Sequence, residues 1–146
     1  MSEENKDLAR RFMEEAYNKG NVDFIDEVVA SDYVAHDPTS PEGTGGGADG
    51  AKRFVEMYRS AFPDLRMTVE DLIAEGDKVV TRWTARGTHQ GELMGIPPSG
   101  NPVEATGITI DRIEGGKVVE TWANYDALGM MQQVGAVPEP GQAQGA

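Results

Sequence analysis

Residues 117–126 read KVVETWANYD and follow a Gly115-Gly116 turn. Their pattern predicts a β-strand, in which successive side chains point to opposite faces of the sheet. One face then carries Glu120, Trp122, Asn124 and Asp126, and the other carries Val119, Thr121, Ala123 and Tyr125. If the Trp122 face is sheltered, two carboxyl groups and an amide line an apolar cavity. If that face is wet, the same residues form an ordinary solvated edge.

The apolar pattern changes along the chain from a helical period to a strand period. Four helices are predicted over residues 2–20, 22–29, 51–62 and 127–134, with an extended segment over 32–36. Four strands are predicted over 65–74, 78–88, 102–113 and 117–126. Most of their connections are too short for crossover helices, which favours antiparallel pairing. We expect an α+β fold with three helices on one face of a strongly curved antiparallel sheet.

Composition limits the classes of partner. The chain has 146 residues and a net charge of −12, so that nucleic acids and anionic membranes are disfavoured. It has no cysteine and only two histidines, which argues against a zinc site or a cysteine nucleophile. We expect one domain over residues 1–135 and a flexible tail over 136–146, rich in Pro, Gly and Gln.

The N-terminal sequence MSEENKDLARR is acidic and helical, unlike a secretory signal. No apolar run approaches the roughly 20 residues that span a bilayer. These features predict a soluble, cytoplasmic protein.

A loop rich in Pro, Gly, Ser and Thr is predicted over residues 37–50. Its Gly45, Gly47 and Gly50 match the spacing of a dinucleotide-binding motif, but no βαβ unit follows and Asp49 would repel a phosphate. We therefore expect no nucleotide and no other cofactor. A Gly-rich lid over a cavity mouth is the more useful interpretation, and simple flexibility is the alternative.

Three motifs carry a resemblance to a known family: AFPD at 61–64, GTHQGELMGIPPSG at 87–100, and the W-x-x-x-D of Trp122 and Asp126. Over residues 7–135 the chain resembles the SnoaL-like polyketide cyclases, also called ester cyclases. This family shares the cone-shaped α+β fold of nuclear transport factor 2 and ketosteroid isomerase. The resemblance implies a pocket for a small hydrophobic ligand and cofactor-free chemistry.

The resemblance places the family's catalytic carboxylate at Asp126. In an apolar cavity this group would have a raised pKa and could remove a proton from carbon beside a carbonyl. Its replacement by Asn should then abolish turnover in a folded protein. The alternative is an N-cap, because Asp126 directly precedes the helix predicted from Ala127.

The two histidines, His36 and His89, are further catalytic candidates that could polarise a carbonyl oxygen. For each, the alternative is a partly buried ring bonded to the backbone, and His89 could simply anchor the following loop. Glu120 is either a second titrating group or the partner of an arginine. The predicted substrate-binding residues, which could instead be packing residues, are Trp122, Asn124, Tyr33, Tyr17, Phe54, Tyr58 and Met94.

The function predicted from these residues is general-base chemistry, either an aldol-type cyclisation or an isomerisation, on a small hydrophobic carbonyl compound. The alternative is a non-catalytic domain that binds a small ligand. Epoxide opening is disfavoured because Asp111 and Arg112 are adjacent and point to opposite faces. Ketosteroid isomerisation needs a carboxylate base and an oxyanion hole made by a tyrosine and a second acid; Asp126 could supply one carboxyl group, but no motif places the tyrosine. The curved sheet leaves an exposed convex outer face, with Arg82 and Ile110, and this face predicts self-association as a homodimer.

Overall fold

The computed structural model describes residues 2–37, 40–44 and 46–137. The helices are α1 (Ser2–Phe12), which continues as a π-helical segment (Met13–Asn18), α2 (Asp23–Val28), α3 (Gly47–Ala61) and α4 (Ala127–Gln133). The strands are β1 (Val29–Asp37), β2 (Ser40–Thr44), β3 (Arg66–Glu75), β4 (Lys78–Thr88), β5 (Pro102–Glu114) and β6 (Lys117–Tyr125). They form one sheet in the order β2-β1-β6-β5-β4-β3.

The predicted α+β class, with N-terminal helices and a curved sheet, is confirmed. Strands β3 to β6 form an antiparallel meander, and β1 joins β6 in parallel, with His36 in register with Trp122. The prediction of a loop over 37–50 is wrong in part. Strand β2 pairs with β1, and α3 already begins at Gly47. Pairing with β2 satisfies backbone groups that the edge of β1 would otherwise leave open.

Parts of two predictions lie outside the described residues. The predicted lid includes Pro38, Thr39 and Gly45, which lie outside the described residues. Gly45 also belongs to the glycine motif. Residues 138–146 belong to the predicted tail.

Apolar clusters close the molecule at the two ends of β5. Near its C-terminal end, Ile113 packs with Ala9 of α1 and Val118 of β6. Near its N-terminal end, Val103 packs with Phe62 and with Met130 of α4. Because each cluster joins helices to the sheet at one end, the inner face of the sheet between them is left facing an enclosed space.

A reciprocal hydrogen bond fixes the end of the π-helical segment to the sheet. The Asn18 amide donates to the Met67 carbonyl at 3.0 Å, and the Met67 backbone N–H donates to Asn18 Oδ1 at 2.6 Å. Arg59 of α3 also donates to the Tyr17 carbonyl. These contacts hold Tyr17 over the inner face of the sheet.

Gly107 of β5 lets a large ring cross this face. A Cβ at position 107 would collide with the Trp83 ring and lie 2.8 Å from Tyr125 Cβ. The Trp83 indole N–H donates to Thr109 Oγ1 at 2.9 Å, so the ring is held by both packing and a hydrogen bond. Among the described residues, no helix has the length and apolar composition needed to cross a bilayer.

Candidate active site

A cavity of about 510 Å³ lies between the helices and the inner face of the sheet. Its walls are mainly apolar, and all four tyrosines of the chain contribute to them. The described carboxyl groups that line it are those of Asp37 and Asp111. The described cationic side chains along its wall belong to Arg53 and Arg86, both exposed. The interior is therefore apolar with a few hydroxyl and carboxyl groups, as is usual for a small-molecule site.

The face of β6 that lines the cavity is the opposite of the one considered first. Thr121, Ala123 and Tyr125 line it, whereas Trp122 and Asn124 do not. The register explains the orientation, because Thr121 lies opposite Asp111 and both point inward. The idea that the Trp122 face is the sheltered cavity wall is thus wrong.

The prediction that Asp126 lies in the apolar cavity is also wrong. Its side chain is exposed and accepts a hydrogen bond from the Gly129 N–H at 2.8 Å, which makes it the N-cap of α4. A Cβ on Gly129 would collide with this carboxylate, so the cap geometry is close. The strand ends at Tyr125, and Asp126 turns outward to begin the helix. It is not part of the cavity wall.

Asp111, and not Asp126, is a carboxyl group that faces the apolar cavity. It lies on the inward face of β5, in register with Val79 of β4 and Thr121 of β6. Thr121 Oγ1 donates to Asp111 Oδ1 at 2.7 Å. Within residues 2–37, 40–44 and 46–137, no ion pair involves Asp111. The carboxylate therefore has a neutral hydrogen-bond donor and an opening to the cavity.

Burial raises the pKa of Asp111 to about 6, and the hydrogen bond from Thr121 acts in the opposite direction. Desolvation dominates because the charged form loses water and gains no cation in return. A carboxyl group with a pKa near neutrality is a better proton acceptor than an ordinary aspartate and is still largely ionised at pH 7.

Tyr33 and Tyr17 surround this carboxyl group. Tyr33 is hydrogen-bonded to Thr121, and burial raises the pKa of its hydroxyl. Burial also raises the pKa of Tyr17, and Tyr33, Asp111 and Tyr125 add to that shift. Both phenols therefore stay protonated and neutral across the ordinary pH range.

A second group of hydroxyls lies nearer the other end of the cavity. The hydroxyl oxygens of Tyr58 on α3 and Tyr125 on β6 are 3.1 Å apart and share a hydrogen bond. Burial is the main cause that raises the pKa of Tyr58, followed by the neighbouring Tyr125. Asp37, at the end of β1, also lines the cavity and is largely buried.

The two histidines have structural contacts. His36 borders the cavity, but its ring stacks on Trp122 with centroids 5.6 Å apart, and its Nε2 lies 2.8 Å from Glu120 Oε2. Glu120 also accepts from Arg112, in agreement with the arginine-partner alternative. His89 is completely buried, does not line the cavity and bonds Ser99 through Nδ1. Its contacts agree with the loop-anchor alternative.

The predicted substrate-binding residues divide into two groups. Met94, Trp122 and Asn124 do not line the cavity, and Met94 is 42% exposed. The members that do line it are Tyr17, Tyr33, Phe54 and Tyr58.

Sequence reasoning missed Asp111, Asp37, Thr121 and Tyr125 as cavity residues. A signal for Asp111 was present in β5, where one acid interrupts a face of small and apolar residues. That face carries Val103, Ala105, Gly107, Thr109, Asp111 and Ile113. An isolated acid on such a face is a candidate functional group, because an unpaired buried charge is costly.

A sequence profile of the SnoaL-like polyketide cyclases matches residues 7–134, and the chain belongs to this family. Nogalonic acid methyl ester cyclase of Streptomyces nogalater is 28% identical over 84% of this chain and 92% of its own length. Aklanonic acid methyl ester cyclase DauD of Streptomyces sp. strain C5 is 30% identical over 88% of this chain and 80% of its own. The structure of TsrD from Streptomyces laurentii is 32% identical, with a TM-score of 0.81, over 92% of this chain and 96% of that one. The relatives support a cyclase-type function.

Proposed function

We propose that this protein is a cofactor-free enzyme of the ester cyclase type, in which Asp111 is the general base. It removes a proton from carbon beside a carbonyl group of a small hydrophobic compound. The observation that supports this role is a carboxyl group that faces an apolar cavity, has a raised pKa and lacks a cationic partner among the described residues. The thiol and metal-thiolate routes need cysteine, which the chain lacks.

In the proposed reaction Asp111 first accepts a proton and then returns it, so that no proton is gained or lost. The carboxylate accepts the α-proton, the C–H electron pair forms the enolate double bond, and the carbonyl π pair moves to oxygen. In an aldol-type closure the enolate carbon then attacks a second carbonyl carbon of the same molecule. The new alkoxide takes the proton back from Asp111. An isomerisation would return the same proton to a different carbon.

Charge favours a neutral ligand. Asp111 and Asp37 are the described carboxyl groups of the cavity wall, whereas its two described arginines are exposed, and Arg86 is also paired with Glu104 at 2.6 Å. A ligand carboxylate near the two acids would be repelled. The two Streptomyces relatives are named for methyl esters, which are neutral. We propose an uncharged ester or ketone as the substrate class of this chain.

The decisive experiment measures exchange of the α-protons of 1-tetralone, a flat bicyclic ketone, with D₂O by NMR. The unaltered protein should accelerate exchange, and Asp111→Asn should slow the catalysed rate by about 10³-fold, the usual scale for loss of a general base. Asn retains the size of the side chain and can still accept from Thr121. Asp126→Asn is the matched control and should exchange at the rate of the unaltered protein.

Two results would contradict the proposal. One is full exchange activity in a folded Asp111→Asn variant. The other is saturable binding of 1-tetralone without any accelerated exchange, which would favour the non-catalytic ligand-binding alternative.

A further inference from the structure

Three polar side chains form a hydrogen-bonded network across neighbouring strands of the inner face. Tyr33 of β1 is bonded to Thr121 of β6, and Thr121 Oγ1 donates to Asp111 Oδ1 of β5 at 2.7 Å. The register brings them together, because Thr121 lies opposite Asp111 on one side and opposite Ala35 on the other. Tyr33 lies two residues before Ala35 on the same face of β1, and both line the cavity. The network is therefore built by the pairing of three strands.

The direction of each hydrogen bond follows from the number of protons. A threonine hydroxyl has one proton to donate and two lone pairs with which to accept. When Asp111 is ionised, the Thr121 proton is committed to its carboxylate, so the bond between Tyr33 and Thr121 requires the phenol to donate. Burial raises the pKa of the Tyr33 hydroxyl, which keeps this proton in place. The donors therefore run from Tyr33 through Thr121 to Asp111.

This arrangement distinguishes the two oxygens of the base. Oδ1 of Asp111 is occupied by Thr121, and no second hydrogen bond to this carboxylate comes from a described residue. Oδ2 is left for a ligand in the cavity. When Oδ2 takes a proton, Thr121 can keep its bond to Oδ1, so that no bond of the network has to break. A group held in its reactive position in advance lowers the barrier of the step.

The other groups around Asp111 offer no substitute for this donor. Val79, opposite it on β4, is apolar. Outside the network, the titratable groups that share this part of the cavity are Tyr17 and Asp37, neither of which is a cation. The hydrogen bond from Thr121 is thus the contact that lowers the pKa of Asp111 against the larger effect of burial. Without it, less of the base would be ionised at neutral pH.

We infer that Thr121 and Tyr33 are positioning residues for the base. Thr121 holds Oδ1 of Asp111 so that Oδ2 meets the ligand, and Tyr33 fixes the orientation of the Thr121 hydroxyl. This role rests on the proposed function of Asp111. It also gives Tyr33 a role other than donating to the ligand, because its proton is used within the network.

The first test follows the titration of the Asp111 carboxyl by ¹³C NMR, with the aspartate side chains labelled and the resonance identified by its absence in Asp111→Asn. Thr121→Val keeps the shape of the side chain but removes the hydroxyl. It should raise the titration midpoint by about one pH unit, the scale of a hydrogen bond to a charged group. Thr121→Ser retains the hydroxyl and should titrate as the unaltered protein does.

The second test measures exchange of 1-tetralone at a pH above both midpoints, where the base is ionised in every variant. Thr121→Val should lower kcat by about 10-fold with little change in KM, because a misplaced carboxylate leaves binding intact but slows proton removal. Thr121→Ser should keep most of the activity. Tyr33→Phe leaves Thr121 in place and should change the rate and the midpoint in the same directions, but by less.

Thr81→Val is the matched control. Thr81 is completely buried on β4 and does not line the cavity, and its hydroxyl has no hydrogen-bond partner in the part of the protein that the structure describes. The substitution should therefore change neither the midpoint nor the exchange rate. Thermal unfolding checks that each variant is folded.

An unchanged midpoint or an unchanged rate in a folded Thr121→Val variant overturns the inference. So does a Thr121→Ser variant that behaves like Thr121→Val, or an equal effect of Thr81→Val. A Tyr33→Phe variant that matches the unaltered protein overturns the part assigned to Tyr33. Failure of the proposed function gives a different result, because the unaltered protein would then not accelerate exchange, while the Asp111 titration would still respond to Thr121→Val.

Discussion

The two faces of strands β5 and β6 shift the pKa of a carboxyl group in opposite directions. Asp111 points into the cavity, where burial raises its pKa to about 6. Glu120 points outward, where His36 and Arg112 hold its pKa below the ordinary value despite some desolvation. Since the two strands are paired neighbours, orientation alone separates a candidate base from a surface ion pair.

The comparison shows what each face offers to a charge. The outer face supplies partners of opposite sign, including Arg112 for Glu120 and Arg82 for Asp71. The inner face supplies hydroxyl donors and space, but no cation beside Asp111 among the described residues. A charge on the inner face is therefore reactive and destabilising, whereas a charge on the outer face is neutralised.

The largest effect expected from the comparison is a pH-dependent loss of folding stability caused by ionisation of Asp111. The folded pKa of Asp111, about 6, exceeds the ordinary value of 3.8, so the folded protein holds this proton more tightly than the unfolded chain. Below pH 3.8 the group is neutral in both states and carries no penalty. As the pH rises through 6 the penalty becomes complete, at most about 3 kcal/mol.

Denaturant unfolding from pH 4 to pH 8 measures this penalty. Asp111→Asn should become more stable relative to the unaltered protein as pH rises, by up to about 3 kcal/mol, while losing exchange activity. Glu120→Gln is the counterpart on the outer face, and it should lose stability relative to the unaltered protein above the ordinary Glu pKa. A difference for Asp111→Asn that does not vary with pH would contradict the assignment of a raised pKa.

The sequence predicted the elements of the sheet better than its two faces. Strand β4 was predicted over 78–88 and is observed as Lys78–Thr88. A period of two identifies both faces of β6 but not which one meets the helices. Trp122 was considered as part of a sheltered cavity wall, yet its ring does not line the cavity and stacks on His36.

The candidate site could be predicted only in part because it depends on pairing between distant segments. Tyr58 and Tyr125 are 67 positions apart, and no local pattern indicates that their hydroxyls meet. Asp111 was noticed as a possible member of an epoxide-opening set, but its isolation on the inward face of β5 required the register of three strands. The W-x-x-x-D motif drew attention to Asp126, whose local role as a helix cap is visible from sequence alone.

The next effect concerns the outer face as a whole. Val80, Ile110 and Trp122 form a row across three paired strands, and Ile73, opposite Val80, is 62% exposed. Cations beside this row are paired with anions of the same chain, so two copies could meet here without strong repulsion despite the net charge. We propose that a second copy of the chain binds this face in a symmetric dimer.

Sedimentation over a range of concentrations tests the dimer. Ile110→Lys should weaken self-association by about 10-fold or more, because it desolvates two added charges at a symmetric contact. Leu128→Lys is the control, since Leu128 is 60% exposed but lies on α4 and not in the row of outer-face residues. A monomeric protein at every concentration, or an equal effect of both variants, would leave the outer face without this role.

The smallest effect is expected for substitutions of Asp126, which caps α4 and lies outside the cavity. Asp126→Ala removes the bond to the Gly129 N–H and should lower stability by about 1 kcal/mol, the usual value of an N-cap, without changing exchange of 1-tetralone. Asp126→Asn should preserve both, because Asn caps helices about as well as Asp. If a folded Asp126→Asn variant lost exchange while Asp111→Asn kept it, the base would lie at the end of β6, and the inner face of β5 would be only a binding wall.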